Sequence, residues 1–277
     1  MILAVEDVKF SEYRAIHVLW TMHGLGAFST PAHHDVLRTA LLHSPPAVTR
    51  VGLEVLPRTV ESAAWIVKHG LLKNPDPKVR RAALLALGEM PPVIDAGLAI
   101  AAMLAEPRNF NDPWIPAAGI SAAARNDFDF LKAALANGNE ALASPVRVVA
   151  EHYARGAPVD SVADVVAMLA QAPKTLLNAV LTGLDRGWLT DKTPGQTGRM
   201  EGDLAALAKK LDVSQQTAVV KLARKWEADG KLKEAMADVK KSLLQQASNH
   251  DLSDGQRVLA LRQLVSLGVD DVGAAAA

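Results

Sequence analysis

Apolar residues in this chain recur at intervals of three and four, and the runs they form are broken on a nearly constant interval by proline. In Val79, Ala82, Ala83, Ala86, Leu87 and Met90 the steps are 3, 1, 3, 1 and 3, which set all six on one stripe of a 3.6-residue helix. No segment sustains the period-two alternation and β-branched enrichment of a strand. Alanine, the best helix former, stands where a β protein would use Val, Ile and Thr. The expectation is an all-α fold.

The helices fall into pairs: 11–25 with 32–43, 46–56 with 58–72, 77–89 with 92–105, and 113–125 with 127–137. After these come 145–155 with 159–171, 174–187 with 201–211, 214–228 with 231–248, and a lone helix at 255–268. Pro46, Pro77, Pro113, Pro145 and Pro173 open first helices at separations of 31, 36, 32 and 28 residues. Proline suits that position because the amide hydrogen it lacks would be unpaired there anyway. Asp76, Asp112 and Ser144 stand just ahead as candidate caps. Seven helix pairs on this spacing predict an α-solenoid, in which each pair buries its apolar face against its neighbours. The solenoid is expected to run as a single domain over 11–268, after a lead-in at 1–10 and before a tail at 269–277. The stretch 189–200 is expected to be a surface loop.

The clearest unit is Asn74-Pro75-Asp76-Pro77-Lys78-Val79-Arg80-Arg81-Ala82-Ala83-Leu84, which resembles a HEAT repeat. Asp caps the helix, Pro starts it, Val faces the core, and Arg is placed to bridge to a carboxylate in the next repeat. Weaker copies are Pro46-Ala47-Val48-Thr49-Arg50 and Ser144-Pro145-Val146-Arg147-Val148-Val149-Ala150.

Four further segments narrow the resemblance. They are His17-Val18-Leu19-Trp20-Thr21-Met22-His23-Gly24-Leu25-Gly26, Asn111-Asp112-Pro113-Trp114-Ile115-Pro116-Ala117-Ala118, Glu151-His152-Tyr153-Ala154-Arg155-Gly156 and Gly183-Leu184-Asp185-Arg186-Gly187-Trp188. In this order they resemble the HEAT-rich middle region of the large membrane-bound dehydrogenase c-type cytochromes of planctomycete and verrucomicrobial type, over roughly Tyr13 to Leu267. In that family a propeller-like dehydrogenase domain precedes the helical region and a haem domain follows it. The resemblance implies a spacer in a parent oxidoreductase, with electron transfer belonging to the parent.

Composition removes other classes. Thirty Lys+Arg balance thirty Asp+Glu, which argues against the basic surface that nucleic-acid binding requires. The chain has no cysteine, so thiolate metal sites, thiol nucleophiles and covalent haem attachment are excluded within it, and no cofactor is expected. No run of eighteen uncharged apolar residues exists, so no membrane insertion is expected. Glu6 and Asp7 stand where a secretory signal would be basic and then apolar. With the featureless end VDDVGAAAA, they give the expectation of a piece of a longer protein, with a native cytosolic protein as the alternative. The location expected is periplasmic within the suspected parent and cytoplasmic for a free-standing chain.

Reactive constellations are few. His17, His23, His33, His34 and His43 crowd the first 43 residues, but their spacing suits no metal motif, and they are expected to face solvent or cap turns. No Gly-x-Ser-x-Gly turn is present to mount a nucleophile, and Gly24-Leu25-Gly26 falls short of a dinucleotide fingerprint. Glu151, His152, Tyr153 and Arg155 lie on a helix whose successive positions point about 100° apart, so they form no ready-made acid–base site, and the resemblance implies a repeat-to-repeat polar contact there. Of Trp20, Trp65, Trp114, Trp188 and Trp226, most are expected to fill space between layers. Trp114 and Trp188, near helix ends, are the candidates for exposure. Trp114, Trp188, Tyr153 and Arg155 form the candidate interaction surface, and no catalytic or metal-binding residue is assigned.

The function expected is therefore a non-catalytic scaffold for a protein partner or for flanking domains. The alternatives are a HEAT-like enzyme of the DNA-glycosylase type, which needs a basic groove lined with aromatics, and a free-standing cytosolic regulatory solenoid of the phycobilisome-lyase or kinase-scaffold type.

Overall fold

The computed structural model of this 277-residue chain describes residues 12–42, 45–189, 191–195, 197–209, 211–228, 230 and 233–266. The expected lead-in at 1–10, His43 and the tail at 269–277 lie outside the described residues. Among those described, all regular structure is helical: sixteen α-helices and four 3-10 turns, with no strand. Packing divides the chain into two compact units, Met1–Pro145 and Val146–Ala277, where the sequence suggests one domain over 11–268.

The first unit contains α1 (Glu12–Gly24), α2 (His34–Leu42), α3 (Pro46–Val55), α4 (Val60–Lys68), α5 (Pro77–Glu89), α6 (Ile94–Leu104), the single turn α7 (Pro107–Phe110), α8 (Ile115–Arg125) and α9 (Asp127–Asn137). Helices α1, α3, α5 and α8 pack each on the next, and α4, α6 and α9 do the same. Leu19, Leu53, Ile66, Leu84, Leu87, Ile100, Ile115 and Phe130 fill the space between them and are essentially inaccessible to solvent. Each such side chain contributes about 1.5–3 kcal/mol relative to exposure. The stripe read from the sequence is the buried one: Val79, Ala82, Ala83, Ala86, Leu87 and Met90 all face inward.

Local chemistry sets the helix starts. Asp76 accepts hydrogen bonds from the Lys78 and Val79 amides at 2.7 and 3.3 Å, with Pro77 as the first helical residue. Asp112 accepts from the Trp114 and Ile115 amides at 2.8 and 3.0 Å, so α8 begins at Ile115, two residues later than the proline suggests. Ser144 lies inside its helix rather than ahead of it. The helix begins at Ala143, directly after a 3-10 turn at Glu140–Leu142 that Asn139 caps instead. Helix α7 has no counterpart among the expected helices, because a four-residue turn leaves no periodicity to read.

The second unit continues with α10 (Ala143–Arg155, which straddles the division), α11 (Val162–Leu169), α12 (Lys174–Gly187), α13 (Thr197–Ala208), α14 (Val213–Lys225), α15 (Lys233–Ser248) and α16 (Asp254–Ser266). Helix α11 packs on α13, α12 on α14, α14 on α15, and α15 on α16. Helix α12 meets α10 through glycine. A β-carbon at Gly183 would stand 2.5 Å from the Arg147 carbonyl oxygen, and one at Gly187 only 2.2 Å from that of Glu151. The start of α14 carries a reciprocal cap, in which Asp212 accepts from the Gln215 amide and Gln215 accepts from the Asp212 amide. Val220, Val239, Leu243, Ala247, Ala260 and Leu264 close the core at the C-terminal side. The expected loop at 189–200 is shorter than the sequence suggests, since α13 starts at Thr197.

Candidate interaction face of the first unit

The row α3, α5, α8 leaves a narrow strip of each helix uncovered. On α3 the strip carries Arg50 and Glu54, an ion pair one turn apart at 3.7 Å. On α5 it carries Lys78, Arg81, Leu85 and Glu89, all exposed. At the head of α8 stands Trp114, 65% exposed, with the Arg81 guanidinium 5.9 Å from its ring centroid. That stacking joins the strips of adjacent first helices, and an arginine over an indole is a cation–π pair of about 0.5–1 kcal/mol at an exposed position. Trp114 is held there by its own turn. The Asp112 carboxyl lies below the usual aspartate range, chiefly because the Trp114 and Ile115 amides donate to it, with Arg80 and Arg81 adding a smaller electrostatic pull in the same direction.

Behind this strip, Arg80 is 4% exposed. Its Nε donates to Asn109 Oδ1 at 2.8 Å and its Nη1 to the Asn74 and Pro75 carbonyls, each at 2.8 Å. The sequence places this arginine to reach a carboxylate; its partner is instead the side-chain amide of Asn109, 29 residues on. Asn109 in turn donates to the Met103 carbonyl at 2.9 Å. A guanidinium with three neutral acceptors avoids burying a second charge.

The other residues of the candidate surface behave differently. Trp188 is not exposed: it is 2% accessible, its Nε1 donates to the Lys192 carbonyl at 3.1 Å, and its ring meets Trp226 edge-on at 5.3 Å. The loop that follows it folds back over the indole, which no local pattern announces. Tyr153 is also buried, at 3%, with its hydroxyl 2.6 Å from Ser161 Oγ. Arg155 is exposed and pairs with Glu151 one turn earlier on its own helix. Trp114 thus shares its face with Arg81 and Leu85, which are not among the residues the sequence singles out. Tyr153 and Arg155 belong to the second unit. The signal that could have found Arg81 and Leu85 is their i, i+4 spacing, close behind Lys78 on the side opposite the buried stripe.

A cleft of about 690 Å3 opens elsewhere in the first unit, between the 3-10 turn at Ala27–Ser29, α2 and the start of α4. Phe28, Leu37, Leu41, Leu56 and Trp65 form its apolar wall, and His34, Asp35, Arg38 and Glu61 its polar edge. The Glu61 carboxyl sits below its ordinary range because its own backbone amide and the Thr59 hydroxyl hydrogen-bond to it. Of the crowded histidines, His33 binds Thr30 Oγ1 and the Ala27 carbonyl at 2.9 Å each, closing a turn. His17, His23 and His34 are exposed. Among the described residues no three His, Asp or Glu side chains converge in a way that could hold a metal ion, and no helix is long and apolar enough to cross a membrane.

No family model, curated protein or solved structure matches the chain.

Proposed function

We propose that this chain is a non-catalytic α-solenoid of HEAT type, a scaffold whose uncovered first-helix face receives a protein partner or a flanking domain. The observation that carries this reading is the interval of its long-range side-chain bonds. In the first unit Arg58 donates to Glu89, Arg80 to Asn109, Arg125 to the Met90 carbonyl and Asn139 to the Ala105 carbonyl, while the Val93 amide donates to Asn126. These links span 31, 29, 35, 34 and 33 residues, one repeat each. Bonds that reach one repeat and no further are the contact pattern of a quasi-one-dimensional array. In the second unit Arg199 reaches Asp164 across 35 residues and Gln215 reaches Asn178 across 37, the same habit. The Asp76–Pro77–Val79–Arg80 start supports the HEAT type, with Asp as cap and Arg as inter-repeat link.

The sequence resemblance extends the proposal to a spacer within a larger haem-containing dehydrogenase. The haem would then be carried by another part of that protein, since this chain has no cysteine. The test is an immunoblot of the native polypeptide with a haem stain on the same gel. A haem-positive band far above 29.4 kDa supports the spacer. A haem-negative band at that mass removes it and leaves a free-standing scaffold. Substrate turnover by the isolated chain would overturn the non-catalytic reading altogether.

A further inference from the structure

In the second unit, α12, α14 and α16 enclose a polar cleft of about 350 Å3. Helix α12 contributes Thr182 and, four residues on, Arg186; α14 contributes Thr217 and, four residues on, Lys221. The two hydroxyl–cation pairs are each 35 residues apart in sequence, so consecutive first helices present the same two groups at the same register. Arg262 of α16 supplies a third cation. Asp185, the one carboxylate on the lining among the described residues, is already neutralised by Lys225 at 2.8 Å. Among the described residues Arg186, Lys221 and Arg262 have no hydrogen-bond or ion-pair partner, whereas most other arginines of the chain do.

We propose that this cleft binds a phosphate group through Arg186, Lys221 and Arg262, with the Thr182 hydroxyl as a further donor. Three positive charges suit a phosphate monoester or diphosphate, whose monoester form carries about −1.5 to −2 at pH 7, better than a single carboxylate. Guanidinium forks match tetrahedral oxyanions, and lysine acts beside them as a point charge. The cleft is larger than one phosphate, leaving room for the group that carries it. Among the described residues no aromatic side chain lines it on which a base could stack, so a nucleic-acid strand is the poorer fit. The phosphate can come from a small compound or from a phosphorylated side chain, and the probes separate the two.

The experiment is isothermal titration of the whole chain at low ionic strength with pyrophosphate, with a phosphoserine peptide and with its unphosphorylated form. Saturable one-to-one binding of a phosphate probe is expected. It should weaken more than about tenfold in the triple variant Arg186→Gln/Lys221→Gln/Arg262→Gln and be unchanged in the exposed control Lys209→Gln. Tighter binding of the phosphopeptide assigns a protein-borne phosphate, and tighter binding of pyrophosphate a small one. The single variant Arg262→Gln, a change on the exposed side of α16, carries the same test if the triple variant loses helicity, with a severalfold loss expected. No saturable binding of either phosphate probe, or equal binding by the variants, overturns the proposal.

Discussion

Arg80 is a buried tie between distant parts of the first unit, because its guanidinium holds Asn109, 29 residues on, together with the Asn74 and Pro75 carbonyls. Arg80→Ala strands Asn109 Oδ1 and two carbonyls in a buried setting, and a loss of about 2–4 kcal/mol is expected from urea denaturation. Arg80→Lys should recover less than half of that, since an ammonium cannot span a fork of acceptors. Asp112 gives a pH-dependent counterpart. Its folded pKa is depressed, so the stability it contributes is present above the unfolded aspartate value of about 3.9. That stability is lost as pH falls through the folded value. Wild type and Asp112→Asn should therefore differ in urea midpoint at neutral pH and converge in strong acid. A gap that persists there would mean the carboxylate charge is not what holds the Trp114 turn.

Between elements, glycine decides how close two helices come. Gly97 on α6 has no room for a β-carbon, which would lie 2.6 Å from the Phe130 nitrogen of α9, and Gly187 is tighter still against α10. Gly187→Ala should cost about 1–3 kcal/mol as the helices are forced apart. At Gly202, in the interior of α13, a β-carbon would have nothing within 4 Å of it. Gly202→Ala should therefore stabilise by about 0.5–1 kcal/mol through helix propensity alone. Thermal melts of the two variants moving in opposite directions check both. Two shifts of the same sign would refute the close-approach account.

For the molecule as a whole, the proposed repeat array, with side-chain bonds that span 29 to 35 residues in the first unit, predicts that damage stays local. Hydrogen exchange in Arg80→Ala should quicken at α5 and α8 of the first unit while α1, which packs on α3, keeps its protection. Uniform loss across the unit would argue for one cooperative core instead. The proposed scaffold must also present its exposed face to whatever it holds. A photo-crosslinking residue in place of Trp114 should capture a partner or flanking domain, and the same residue in place of the fully buried Trp226 should not.

The helical class and the capped start at Asp76–Pro77 are properties of neighbours in sequence, so periodicity and local hydrogen-bonding chemistry are enough to reach them. The same reasoning puts Val79, Ala83 and Leu87 inside, because a 3.6-residue stripe has only one apolar side to bury. What lies beyond it depends on residues that local patterns do not connect. Trp188 and Tyr153 look like surface residues until a folded-back loop and Ser161 cover them. Arg80 finds an amide rather than a carboxylate because α7, too short to leave a pattern, delivers Asn109 to it from 29 residues away. The cleft around Arg186, Lys221 and Arg262 likewise exists only where three helices meet. Local sequence sets which face of each helix is apolar, and only tertiary packing decides which polar groups are left on the outside to bind something.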